Sequence, residues 1–293
     1  MDNKKLYAFL KSAEIGSQAA AADALGYTPS AVSQLVSSLE KELGLTLLER
    51  SSKGVSVTEE GQGLIPLIND YLAHEQRIYD YAADINGLLT GSLAITAYPS
   101  AATNWLPEIV GKFSADHPEI HITIMECIRS DIYQNLDNNT AELGILTYVE
   151  PMPYEWIPLA DEPMLAVLPE DHPLAASDSY PVAQAAGDKF ILTSQGQDVE
   201  ILNILRRNGV EPEIRYTTYD TPVTLAMVQQ GLGVSIVNDL SARRWNDHIV
   251  KLPLDPPEKI TFGIAFKSYD QLSTAARKFL DYAVKYLTRS EAR

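Results

Sequence analysis

The chain has 293 residues, 45% of them hydrophobic, which suffices for two or three compact units with real cores and excludes a disordered polypeptide. A single cysteine, Cys127, excludes an internal disulfide, and five histidines (His74, His117, His121, His172, His248) lack metal-ligand spacing, so neither a metal nor another cofactor is expected. The net charge of −16 argues against a nucleic-acid partner until it is divided by region: residues 1–60 carry 6 Lys and Arg against 8 Asp and Glu, net −2, and residues 61–293 carry 17 against 31, net −14. The acid excess therefore lies mainly outside the first sixty residues. No apolar run approaches the roughly 20 residues that span a bilayer, and Met1-Asp2-Asn3-Lys4-Lys5 leads into a polar-faced helix rather than a secretory segment, so no membrane partner and a cytoplasmic location are expected. With no second cysteine to pair with, Cys127 reads as a small buried hydrophobe rather than a redox sensor.

In chain order, Leu6, Phe9, Leu10 and Ala13 recur at helical spacing, and Gly16 is placed to end that helix. Ser17 is placed to cap a second helix, Gln18 to Leu25, whose alanines let another helix approach closely; Gly26-Tyr27 then turn the chain. Thr28 caps a third helix, with Pro29 at its first position, where a missing N–H costs nothing. That helix turns Val32, Leu35, Val36 and Leu39 inward and leaves Thr28, Ser30, Ser33, Gln34 and Ser37 outward. Short hydroxyls and an amide suit phosphates and base edges in a major groove; taken alone, the same helix reads more readily as a solvated polar face, and the order of parts around it reverses that. Leu43 to Arg50, Ser51-Ser52-Lys53-Gly54 and Val55-Ser56-Val57 read as two short strands joined by a turn, a wing that carries Arg50 or Lys53 over the adjacent backbone or minor groove.

This order of parts resembles the LysR-type transcriptional regulators. The resemblance rests on Ser17, the alanine cluster, Leu25, Thr28-Pro29-Ser30-Ala31-Val32-Ser33, Leu39-Glu40, Leu43-Gly44, Arg50, and Thr58 with Gly61. Two positions depart from the family pattern: Gln18 stands where an aromatic is usual and Ser37 where a basic residue is frequent, which implies fewer contacts to the DNA backbone. The resemblance implies a winged helix-turn-helix domain over residues 1–58 whose DNA-binding residues are Ser17, Thr28, Pro29, Ser30, Ser33, Gln34, Ser37, Arg50 and Lys53.

Thr58 reads as the N-cap of a long helix, with Glu59 and Glu60 against the positive end of its dipole. Leu64, Leu67, Ile68, Tyr71, Leu72, Ile78, Tyr79, Ala82 and Ile85 make an apolar stripe that needs a partner, either its own domain or a second subunit. Pro66 is expected to bend this helix. The family resemblance implies a linker over 59–88 that makes a homodimer, or a homotetramer, through residues 58–87.

Beyond Gly91 strands alternate with helices: Leu93–Tyr98, Ile120–Cys127, Leu143–Thr147, Met164–Leu168, Phe190–Leu192, Ile214–Tyr216, Val234–Val237 and Ile260–Phe266. Such alternation signals an α/β fold with a parallel-rich sheet covered by helices. Two units are expected within 89–293, one of about 89–161 and 267–293, the other about 162–266. Ligands of open α/β folds settle where strands run into helix N-termini, so Ser100 in Pro99-Ser100-Ala101-Ala102-Thr103, Arg129-Ser130-Asp131, and Ser194 in Thr193-Ser194-Gln195-Gly196-Gln197 are candidate ligand positions, with Tyr148 and Thr221 as walls. Ser100, Ser130 and Thr221 read equally as ordinary helix caps, and Arg129 as half of an ion pair. Asp171-His172-Pro173-Leu174-Ala175 and Val228-Gln229-Gln230-Gly231-Leu232-Gly233-Val234 extend the family resemblance here, to an effector domain resembling periplasmic solute-binding proteins. It maps the family's ligand positions to Ser100, Ala101, Ser130 and Thr147, with Glu142 in place of an aspartate. A small-molecule effector is therefore expected, a carboxylate or other anion by the helix N-termini and Arg129.

Two rival classes find less support. An enzyme would need a nucleophile elbow, phosphate loop, dinucleotide fingerprint or metal set, and the sequence offers no catalytic residue; Ser100 with Asp171 and His172 hints at a triad, but His172 before Pro173 reads as a turn. An exported solute-binding protein has no use for residues 1–61. The expected function is a DNA-binding transcriptional regulator whose grip on double-stranded promoter DNA responds to an effector.

Overall fold

The structure is a computed structural model that describes residues 2–51, 54–85, 91–193 and 198–290. The chain divides into two compact units, Met1–Leu88 with Gln134–Ala141, and Leu89–Tyr133 with Glu142–Arg293.

In the first unit, α1 (Asn3–Ile15), α2 (Gln18–Leu25) and α3 (Pro29–Leu43) begin on the side-chain caps Asp2, Ser17 and Thr28, which accept from the backbone N–H of Lys4, Ala20 and Ala31. All three end on glycines in the left-handed region, Gly16, Gly26 and Gly44, with φ of 71°, 69° and 70°. Their shared core is Leu6, Phe9, Ala21, Ala22, Val32, Val36 and Leu39, all buried; the methyl side chains of Ala21 and Ala22 are what let α2 lie close against its neighbours.

A two-stranded antiparallel wing follows, β1 (Leu48–Ser51) and β2 (Gly54–Val57), with Arg50 opposite Val55. Three contacts pin the wing to the helices. Glu40 Oε1 accepts from the N–H of Leu47 at 2.8 Å and of Leu48 at 3.2 Å. The Val55 N–H donates to the Gly16 carbonyl at 2.9 Å, and a Cβ on Gly54 would fall 2.4 Å from that same oxygen. Thr58 caps α4 (Glu59–Ile85) by accepting from the Gly61 N–H at 3.0 Å, while its hydroxyl donates to the Thr46 carbonyl at 2.8 Å. α4 runs through Pro66 as one helix. Its apolar stripe divides: Ile68 is buried in the head core with Leu64, Ile65 and Leu72 beside it, whereas Leu67, Tyr71, Ile78 and Tyr79 are 63%, 43%, 69% and 64% exposed.

From Gly91 on, the chain runs β3 (Gly91–Ala97), α5 (Pro99–Asn104), α6 (Leu106–Asp116), β4 (Ile120–Glu126), α7 (Arg129–Asp137), β5 (Leu143–Thr147), β6 (Glu155–Pro169), β7 (Tyr180–Pro181), β8 (Lys189–Leu192), α8 (Val199–Arg207), β9 (Glu213–Thr217), α9 (Thr221–Gln229), β10 (Ser235–Asn238), α10 (Asp239–Ala242), β11 (Ile249–Asp255), β12 (Lys259–Phe266) and α11 (Thr274–Ser290), all in the second unit except the end of α7 from Gln134. The main sheet has the order β4-β3-β5-β12-β6-β11-β7, with β10 also paired to β6; β8 and β9 form a separate parallel pair.

The sheet is mixed rather than parallel-rich. β3 is parallel to β4 and β5, but β12 is antiparallel to β5 and β6, and β10 and β11 are antiparallel to β6. The cause is the length of β6. Its first half, Glu155 to Pro163, pairs with β12 over one core built on Phe113, Phe262 and Phe279; its second half, Met164 to Pro169, pairs with β10 and β11 over another built on Tyr180, Phe190 and Ile236. One crossing between the lobes therefore lies near Glu162. The return differs: β12, expected in the second lobe, pairs with first-lobe strands, so the chain crosses back within 256–258 rather than near Phe266.

The first half of β6, and β11, are strands beyond those expected, and they form despite Pro158, Pro163 and Pro253, residues that ordinarily disfavour a strand interior. Pro158 is accommodated opposite Gly263, where the ladder shifts register and where a Cβ would fall 2.2 Å from the Trp156 ring.

Candidate functional site

In the first unit the candidate surface is the outer face of α3. Thr28, Pro29, Ser30, Gln34 and Ser37 are exposed and Ser33 is half-buried. The Thr28 and Ser30 hydroxyls lie 3.1 Å apart, and the first turn holds no acidic residue, so nothing there opposes a phosphate at the positive end of the helix. Ser17 is half-buried and serves as the cap of α2, accepting from the Ala20 N–H at 3.3 Å. Beside it Gln18, the residue where the family has an aromatic, holds a buried amide nitrogen with no hydrogen-bond partner among the described residues. Arg50 lies on β1; its side chain, and all of Lys53, fall outside the described residues.

The second unit contains a cleft of about 450 Å³ where β3, β4, β8, β9 and β10 run into the segments that follow them. A volume of that order suits a small organic molecule. Tyr98, Ser100, Thr103 and Asn104 line it from α5 and the residue before it; Glu126, Cys127 and Ile128 from the end of β4. Thr193, Asp198 and Glu200 line it around the start of α8, and Tyr219, Asp220 and Thr221 around the start of α9. Met164, Ile201, Leu225 and Leu240 supply apolar wall, and Arg244 and Trp245 complete the lining. The Trp245 indole nitrogen is buried without a partner among the described residues.

Beside the cleft lies a compact polar cluster. Glu200 Oε1 accepts from Arg129 Nη2 at 2.6 Å, from the Tyr98 hydroxyl at 3.2 Å and from the Thr147 hydroxyl. Arg129 Nη2 also donates to Thr147 Oγ1 at 2.6 Å, and Nη1 to the Tyr133 hydroxyl at 3.2 Å. The Arg129 and Glu200 side chains are 14% and 10% exposed. Burial works against the Glu200 charge, yet Arg129 and Thr147 outweigh it and hold the carboxyl below its ordinary value. Its neighbour Asp198, which caps α8 through the Ile201 N–H at 3.1 Å and accepts from the Thr193 hydroxyl at 2.6 Å, is pushed up to about 6 by burial and by the adjacent Glu200 charge.

The structure sorts the residues expected to meet a ligand. Ser100 and Thr221 line the cleft. Ala101, one residue round the helix from Ser100, is fully buried in the first-lobe core and does not line it. Ser130 is exposed, with its hydroxyl on the neighbouring Asp131 carboxylate at 3.2 Å; Tyr148 packs against Trp156 with ring centroids 5.0 Å apart, away from the lining. Arg129 and Thr147 are drawn together around the carboxylate of Glu200. Ser194, with the rest of 194–197, lies outside the described residues. Cys127, expected in a core, is half-buried and lines the cleft.

His172 sits in a turn, its Nδ1 accepting from the Leu174 N–H at 3.1 Å and its Nε2 3.3 Å from Asp188, so it is engaged away from Ser100. Glu142 binds the start of α11, accepting from the Ser273 N–H at 2.7 Å and hydroxyl at 2.8 Å. The lining residues that sequence reasoning missed are chiefly Asp198, Glu200, Asn104, Arg244 and Trp245. An acidic residue before a helix, as at Asp198, signals a cap; nothing local signals that Glu200, two residues on, pairs with Arg129 across the fold.

A family model described as the LysR substrate binding domain matches residues 86–288, and one described as a bacterial regulatory helix-turn-helix protein of the lysR family matches residues 4–62. The chain is 28% identical over 283 residues to the uncharacterized HTH-type transcriptional regulator YvbU of Bacillus subtilis (strain 168), which covers 95% of this chain and 96% of the relative. Full-length CbnR complexed with its target DNA shares the fold at a TM-score of 0.69 and 20% identity, covering 99% of this chain and 100% of that one. The effector binding domain of QuiR in complex with shikimate does so at 0.62 and 23%, covering 68% of this chain and 98% of that one. Among the described residues no helix is long and apolar enough to cross a membrane. A three-helix winged head, a long α4 and a cleft-bearing α/β unit are thus matched along nearly the whole sequence, and the chain belongs to the LysR family of bacterial helix-turn-helix transcriptional regulators.

Proposed function

We propose that residues 1–58 grip promoter DNA through α3, that 59–88 pair two subunits, and that the cleft within 89–293 binds a small effector whose occupancy changes the grip. Ser30, Ser33, Gln34 and Ser37 meet base edges or phosphates in a major groove, Thr28 and Ser17 hold the helix N-termini against the backbone, and Arg50 and Lys53 of the wing reach the neighbouring backbone or minor groove. The observation that carries this reading is the exposed polar face of α3 above an acid-free first turn. The complex of CbnR with its target DNA supports it by likeness of fold. The protein works as a regulator without catalysis of its own, in the cytoplasm where its operator lies.

The cleft supports ligand control. Both lobes contribute to its lining, so a ligand that prefers one relative placement of the lobes shifts their equilibrium by its differential affinity, typically about 1–3 kcal/mol of coupling. QuiR's domain, which holds shikimate, supports a small-molecule role for this unit.

The test is a gel shift at low salt with the DNA upstream of the protein's own gene or its divergent neighbour. Gln34→Glu places a carboxylate on the α3 face, and affinity is expected to fall at least tenfold, about 1.4 kcal/mol, with the circular dichroism spectrum unchanged. Ser100→Trp is expected to leave DNA affinity intact and remove the response to effector. Undiminished binding by Gln34→Glu would refute the α3 reading, and an intact effector response in Ser100→Trp the cleft reading.

A further inference from the structure

A guanidinium and two hydroxyls that converge on one carboxylate oxygen form the arrangement that captures a small carboxylate ligand. Here Arg129, Tyr98 and Thr147 make that arrangement, and the carboxylate is the chain's own, Glu200 from the first turn of α8. An anionic effector in this seat would have to displace Glu200 and leave a buried carboxylate without its cation, which is strongly unfavourable. The groups that remain toward the cleft have the opposite sign. Glu126 is exposed and its side chain makes no hydrogen bond with any described residue; Glu200 also lines the cleft. Asp220 uses one oxygen to cap α9 through the Val223 N–H at 3.2 Å and keeps the other. Asp198 adds a fourth carboxylate to the lining, against which stands the exposed Arg244, the single cation among the lining residues.

Taking the cleft as the effector site, a reading on which this step rests, we infer that Glu200 is a resident carboxylate filling the anion seat made by Arg129, Tyr98 and Thr147, and that the effector is a small molecule bearing a protonated amine. Glu126 and Asp220 receive the amine, and Met164, Ile201, Leu225 and Leu240 flank its hydrocarbon part. Arg244 is available to a carboxylate at the far end of a zwitterion.

Three probes that share a four-carbon chain separate the charge classes: putrescine, γ-aminobutyrate and succinate, each titrated calorimetrically into the full-length protein near neutral pH, with Trp245 fluorescence as the reporter of cleft occupancy and Trp245→Phe as its control. Putrescine or γ-aminobutyrate is expected to bind at least tenfold tighter than succinate. The double variant Glu126→Gln, Asp220→Asn, in which asparagine keeps the α9 cap, is expected to weaken the amine at least tenfold. Glu200→Ala, which vacates the seat beside Arg129, is expected to acquire succinate binding.

Tighter binding of succinate than of either amine to the wild type overturns the inference, as does amine binding that the double variant leaves unchanged or the failure of all three probes at millimolar concentration. Succinate that binds the wild type more tightly than either amine and with a Trp245 signal refutes the ligand class and leaves the cleft as the effector site. An intact effector response in Ser100→Trp refutes the site itself. The double variant does not touch the Arg129 cluster, so it decides the matter even if Glu200→Ala fails to fold.

Discussion

Asp198 and Glu200, two residues apart at the start of α8, sit in opposite electrostatic circumstances. Burial and the neighbouring charge push Asp198 up to about 6, while Arg129 and Thr147 hold Glu200 low. Native Asp198 thus keeps its proton to higher pH than the unfolded chain does. Its contribution to stability is fully present below the ordinary carboxylate range, at about pH 4 and under, and is lost as pH rises through about 6. Glu200 has the reverse sign: its contribution is present above the ordinary carboxylate range and is lost as pH falls through its lowered value. Asp198→Asn keeps the helix cap and puts an N–H donor near Glu200 in place of a second charge. The variant is expected to melt higher than wild type above about pH 6, with the gap closing toward about pH 4. A gap that does not vary across this range, followed by tryptophan fluorescence, would remove Asp198 as its source. At this scale Ser100, Arg129, Thr147 and Thr221 were legible, because they stand at strand-to-helix junctions or match family positions; Glu200 was not, since its partner lies 71 positions away in the chain.

Among elements, the glycine that ends α1 and the caps Ser17, Thr28 and Thr58 of α2, α3 and α4 could be read because a cap joins residues three or four apart. The wing is different. Gly54 and Gly61 are needed for close approach: a Cβ on Gly61 would lie 2.5 Å from the Leu47 carbonyl and 2.8 Å from a Val57 methyl. Gly61→Ala is therefore expected to destabilise the head by about 1–3 kcal/mol through overpacking. Trp105, Trp156 and Trp245 all lie in the second unit, so tryptophan fluorescence reports that unit alone. The variant's far-ultraviolet circular dichroism should lose helix at a lower temperature while its fluorescence transition stays put; coincident shifts of both would refute a head-local effect. The same logic of close approach explains Gly233, where a Cβ would meet the Lys189 carbonyl at 2.4 Å, inside the stretch Val228 to Val234 that carries the family pattern.

For the whole molecule, the acidic surplus outside residues 1–60 leaves DNA affinity to helix N-termini, the wing and the pairing of two heads. In the proposed function α4 supplies that pairing: Leu67 and Ile78 project from one helix face and are more than half exposed, an arrangement a second subunit is suited to cover. Charging both, Leu67→Glu with Ile78→Glu, is expected to reduce the molar mass in light scattering to that of one chain of 32.3 kDa and to lower DNA affinity at least tenfold, with the tryptophan melting transition retained. An unchanged mass would place the subunit contact elsewhere.

The local rules of the chain sufficed for the head, the long α4 and the alternation of strands and helices, because capping, helical periodicity and turn glycines act over a few residues. They sufficed also for the family, whose pattern is concentrated in residues 17–61. What only the tertiary structure decided is non-local: that β6 runs on through Pro158 and Pro163 to serve two lobes, that β12 returns to the first of them, and that Glu200 takes the place beside Arg129. Each depends on backbone pairing or charge matching between segments far apart in sequence, and such energies exist only once the chain has brought those segments together.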